Sequence, residues 1–220
     1  MKSKKLTKNI VLFTFPTRKE LTLHFFRIQE FYESPKKSLF KKKFSVFDFL
    51  NESMNAKGEI DYFSYWTGFN IPGEFVNKWW VMNGRDSTPA EQAIFDRLHQ
   101  SNIDFSKPYY IIGALHKDKD VIKHEIAHAL YYTNTKYATE MNDLIYDFYK
   151  TDRKNYCKVE KRLNKMGYGE NVIKDEIQAY LSSEKSSYLK KEFDITPKNV
   201  PIIKQFRDVL LKYNTFQSGN

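Results

Sequence analysis

Cysteine is almost missing from this chain. Cys157 is the only one in 220 residues, so no intrachain disulfide can form, which fits a reducing compartment. Long apolar runs are missing too. No stretch approaches the roughly 18 apolar residues that a membrane-spanning helix needs. Near the N-terminus, Lys2, Lys4, Lys5 and Lys8 precede an apolar run from Ile10 to Phe15. That run is too short for the core of a signal peptide, and Pro16, Arg18, Lys19 and Glu20 follow at once. The expectation is a soluble, cytoplasmic protein with no membrane partner; export by a route without such a signal stays open. Internal repeats and low-complexity linkers are also lacking. One domain over residues 1–220 is therefore expected, with an N-terminal α/β part (1–107) and a C-terminal part (108–220). Nothing in the sequence speaks to oligomeric state.

What is present suits a packed core. Hydrophobic residues make up 41% and aromatic residues 16%, with 18 Phe and 15 Tyr, a composition unlike that of disordered chains. The net charge of +9 permits attraction to nucleic acid, acidic proteins or anionic lipid. The charge is spread along the chain, and its one cluster, Lys36, Lys37, Lys41, Lys42 and Lys43, reads as a solvated loop. No aromatic-basic signature of a nucleic-acid module is found, so no nucleic-acid partner is expected.

Periodicity predicts a buried strand over Asn9–Phe15 and helices over Arg18–Tyr32 and Ser45–Met54. The aromatic segment from Asp61 to Trp80 reads first as core and hairpin packing, and alternatively as a wall of a substrate cleft. Thr88–Gln100 has a full helix-start signature: Thr88 or Ser87 as cap, Pro89 in the first turn, Glu91 completing a capping box. Lys107–Leu115 is the strongest strand signal. Further helices are predicted over Thr139–Lys150, Asn155–Met166 (closed by Gly167 and Gly169), Asn171–Ser182 and Ile202–Tyr213.

The chemistry concentrates in Val121–Tyr132, VIKHEIAHALYY, which Asp118 or Asp120 can cap. Residues three and four apart share a helix face. His124 and His128 can therefore aim two imidazoles at one ion, with Glu125 beside them to hold a water. Ile126, Ala127, Ala129 and Leu130 embed the trio in an apolar element, where uncompensated charge is unfavourable. Imidazole nitrogens suit a tetrahedral Zn2+ ion with one position left open.

Two histidines leave such a site short of a ligand. The extended pattern H-E-x-x-H-x-x-G-x-x-H would need Gly at Tyr131 and His at Asn134, and neither fits. His24, His99 and His116 belong to no second motif. Glu176, within KDEIQAYL and beside Asp175, is the better candidate; Glu140, Asp143 and Asp147 are alternatives on a more charged helix.

HEIAHALYY followed by DEIQAYL resembles the gluzincin class of zinc metallopeptidases, over Tyr109–Leu181. The resemblance implies an α+β, zincin-like fold: a small mixed sheet with an edge strand beside the motif helix, and a mostly helical C-terminal half. It also implies His124, His128 and Glu176 as zinc ligands, Glu125 as general base, and a peptide or protein substrate. Many members carry an acid one turn after the ligand glutamate to orient a histidine; here Tyr180 stands there, leaving that task to Asp175 or a backbone carbonyl. Zinc would polarise the scissile carbonyl and acidify a water, Glu125 would move its proton, and Tyr180 or else Tyr132 would steady the oxyanion. The strand Tyr109–Leu115 would offer its edge to an extended peptide. The competing expectation is a non-catalytic basic module for acidic protein or nucleic acid, with a structural or vestigial metal helix.

Overall fold

The computed structural model describes residues 1–214, and they form an α+β fold. Its contacts group the chain into two compact units, Met1–Ile122 and the chain from Lys123 onward.

The first unit holds a mixed four-stranded sheet. Its strands are β1 (Lys2–Thr7), β2 (Ile10–Phe15), β3 (Gly68–Pro72) and β4 (Tyr110–Leu115), in the order β1-β2-β4-β3. β2 and β4 run parallel, and the two outer strands pair antiparallel to them. This corrects the expected role of the 109–115 segment. β4 is an inner strand with both edges already paired, so no peptide can add to it. The apolar run YIIGAL reflects cover on both faces of the strand, while the sheet order shows that both of its edges are paired as well. The outer strands of the sheet are β1 and β3. β1 was not foreseen, because its lysines break the apolar pattern of a strand; an exposed edge strand accommodates them and is guarded by them.

Helices α1 (Arg18–Glu33), α2 (Val46–Ser53), α3 (Tyr62–Tyr65), α4 (Gly73–Asn83) and α5 (Pro89–Gln100) complete this unit. Phe25 on α1 packs against Phe13, Phe15 and Phe69. Gly113 makes room for it, since a Cβ there would come within 2.7 Å of the Phe25 ring. Phe69, Ile71, Val76 and Trp79 are fully buried in this core, as the core reading of the aromatic segment expects, but the expected hairpin is replaced by β3 between two helices. The predicted capping box at Thr88 and Glu91 is present. Glu91 also meets the buried Arg27 at 3.2 Å. Burial outweighs that cation and raises the Glu91 carboxyl above its usual range.

α6 (Lys119–Thr133) starts at the boundary, with Asp118 accepting from the Val121 amide. Beyond it lie α7 (Thr135–Thr151), α8 (Arg153–Lys165), α9 (Ile173–Ser183), α10 (Ser186–Phe193) and α11 (Ile202–Tyr213). Asn134, where the extended zinc motif would have put histidine, instead caps α7. Asp152 caps α8. α9 is the axis of the second unit: α7, α8 and α11 all pack on it, and every residue from Glu176 to Ser183 is buried. A helix enclosed all round must find partners for its polar side chains, and that demand shapes the site. Among the described residues, no helix is long and apolar enough to cross a membrane.

Candidate metal centre

α6 presents His124 and His128 on one face, and α9 sets Glu176 opposite them. The two Nε2 atoms are 3.1 Å apart, and the His128 Nε2 is 3.7 Å from a Glu176 oxygen. One ligand atom from each of the three residues lies within 4.8 Å of the others. Bonds of about 2.0–2.1 Å to a tetrahedral zinc separate ligand atoms by about 3.3 Å. The closer pairs already match that, and the widest separation needs a contraction of about 1.5 Å.

Hydrogen accounting fixes which nitrogens face inward. The His128 Nδ1 lies 2.9 Å from Asp175 Oδ1, so it donates. Asp175 is held in turn: Gln178 Nε2 donates to the same oxygen at 2.8 Å, and the Tyr137 hydroxyl donates to Gln178 Oε1 at 2.7 Å. On the other ring, the His124 Nδ1 is 3.3 Å from Ser183 Oγ and 3.4 Å from a Glu184 oxygen. Both rings therefore turn Nε2 toward Glu176. Two bare acceptor nitrogens at 3.1 Å repel one another, so a cation or a proton must lie between them.

The remaining atoms make the same demand. The buried polar groups of α9 are satisfied almost throughout, with Ser182 and Ser183 both donating to the Ala179 carbonyl. Glu176 Oε2 is the exception on this helix, buried with no hydrogen-bond partner. An orphaned carboxylate oxygen beside two imidazole nitrogens is a group that could hold a metal ion. Burial outweighs the two histidines and pushes Glu176 up to about 7. For His128, burial works against the charged ring, but Asp175, Glu176 and Glu125 hold its pKa up to about 10.

Glu125 is buried and acts electrostatically on His128, Glu176 and Tyr168. Tyr180 packs its ring edge-on to His124 at 4.7 Å. Its hydroxyl is 3.1 Å from that of Tyr168, and both phenols are pushed up, mainly by burial. Tyr132, the second tyrosine candidate, is 38% exposed. The alternative third ligands are engaged elsewhere or exposed: Glu140 accepts from Lys212 and Tyr213, and Asp143 and Asp147 lie at the surface of α7. Sequence reasoning missed Tyr168, Ser183 and Glu184. The Gly167-Tyr168-Gly169 turn and the Ser182-Ser183-Glu184 helix end were the available signals, and neither has a metal-site spacing.

Compared with known proteins, the chain matches no family model, no curated protein and no solved structure.

Proposed function

We propose that this protein is a zinc-dependent metallopeptidase, a hydrolase of peptide bonds with His124, His128 and Glu176 as metal ligands. The observation that carries the reading is the convergence of two inward Nε2 atoms on a buried, unpartnered Glu176 oxygen. A divalent ion bound there supplies Lewis acidity and lowers the pKa of a water to about 7. Glu125 borders the same pocket of charge, where it accepts the proton of the attacking water and returns it to the leaving amine. Tyr180, with Tyr168 behind it, offers a hydroxyl donor for the charge that develops on the carbonyl oxygen. The resemblance of HEIAHALYY and DEIQAYL to gluzincins supports the same assignment. On this reading the partner is a peptide or protein, and the setting is the cytoplasm.

The test is hydrolysis of a mixed peptide library by zinc-loaded protein. Cleavage that stops with a chelator and returns with zinc supports the proposal. A zinc-loaded protein inert toward every peptide removes it.

A second reading draws on the outward face of α8, where Arg153, Lys154, Lys158 and Lys161 surround Cys157 in a shallow hollow. On that reading the chain is a basic module for acidic protein or nucleic acid, and its metal helix is structural. Its binding would fall steeply with salt and ignore chelators.

A further inference from the structure

We propose that Ser183 and Glu184, at the C-terminal end of α9, are positioning residues for His124, and that they set how tightly the site holds its ion. The inference rests on the metal reading above and adds residues to which that reading gives no part.

The argument starts with one hydrogen. The Ser183 hydroxyl spends its proton on the Ala179 carbonyl at 2.6 Å. Its oxygen can then only accept from the His124 Nδ1 at 3.3 Å. Glu184 adds a carboxylate oxygen at 3.4 Å from the same nitrogen. Two acceptors on Nδ1 leave His124 as the Nδ1–H tautomer, with the Nε2 lone pair free for the metal. An acceptor on the outer nitrogen also raises the basicity of the inner one.

The backbone fixes this arrangement. Glu184 is the residue that ends α9, in an extended conformation. Its carbonyl accepts from Arg207 of α11 at 2.8 Å, which fixes the main chain from which the carboxylate reaches His124. The side chains of His124 and Glu184 are only 13% and 16% exposed, so water screens their contact weakly.

α9 thus carries three functions along about 13 Å of helix. Asp175 orients His128, Glu176 ligates, and Ser183 with Glu184 orients His124. The gluzincin acid that Tyr180 replaces is not needed, because an outer acceptor reaches each ring by another route.

Two measurements decide this. Long-range nitrogen–proton NMR on the metal-free wild-type chain should report His124 as the Nδ1–H tautomer; an Nε2–H tautomer would overturn the proposal without any variant. Zinc affinity by chelator competition should fall about 10- to 100-fold in the Ser183→Ala/Glu184→Ala double variant. Glu184→Gln, which keeps an acceptor oxygen, should recover part of the loss. A folded double variant with wild-type affinity overturns the assignment. If the wild-type chain binds no zinc, the metal reading fails by itself, while the tautomer still judges the anchor.

Discussion

Raising the pH from 6 to 8 should tighten zinc binding by about a thousandfold. Without metal, zinc's competitor for these nitrogens is a proton, because the carboxylates around His128 hold its pKa up. With both Nδ1 atoms donating outward, the two Nε2 atoms 3.1 Å apart are placed to share one proton, and the acids around His128 favour its charged form. Zinc must displace it. With His128 at about 10, each pH unit below that value weakens apparent affinity tenfold, about a hundredfold over this interval. Glu176, at about 7, goes from about one-tenth ionised to about nine-tenths, adding about another tenfold. At pH 7, binding should therefore release between one and two protons. Calorimetry in buffers of different ionisation enthalpy counts them, and chelator competition at each pH gives the affinity once the chelator's own titration is subtracted. Affinity that stays flat from pH 6 to 8, or uptake without proton release, would refute the reasoning. The metal-free protein should show the opposite trend. Both pKa values are raised by folding, so the native state binds more protons than the unfolded one. The contribution of His128 is complete below about 6.5 and is lost as pH rises through about 10, and that of Glu176 is lost between about 4.5 and 7. Metal-free Tm should fall with rising pH.

Glu125→Gln should keep zinc stoichiometry while lowering kcat by about 10²- to 10⁴-fold; normal turnover would move the proton transfer to another group. Glu176→Ala should weaken zinc binding, measured by dialysis and metal analysis; unchanged affinity would return the third ligand to Glu140, Asp143 or another acid. Tyr180→Phe should leave zinc affinity in place and reduce kcat more than it changes KM, on the order of 10- to 1000-fold; a wild-type kcat would make it a packing residue. Ile177 is fully buried on the axial helix, and Ile177→Ala should lower stability by about 2–5 kcal/mol in denaturant unfolding, with a smaller loss pointing to relaxation of the α9 packing.

The sequence was most legible where spacing and chemistry coincide. His124 and His128 lie one helical turn apart, so helix geometry alone puts them on one face. Glu176 stood out as an acid on an apolar helix, and the structure brings it to both rings. The Thr88–Glu91 capping box was legible for the same reason, because its two bonds follow from local spacing. Long-range pairing was not legible. Ser183 and Glu184 meet His124 across about sixty residues of sequence, and a Ser-Ser-Glu helix end looks like an ordinary polar terminus. Tyr168 sits in a glycine-flanked turn that no periodicity places. The order of the strands was hidden as well. An apolar run such as YIIGAL marks burial but not which neighbours supply it, and so β4 was expected at the edge it does not occupy.

The most direct measurement is anomalous diffraction at the zinc edge from crystals of the metal-loaded chain. The account requires one peak about 2.0–2.2 Å from the Nε2 atoms of His124 and His128 and from a Glu176 carboxylate oxygen. A map with no peak there, or with the ion held by other residues while Glu176 turns away, would contradict it.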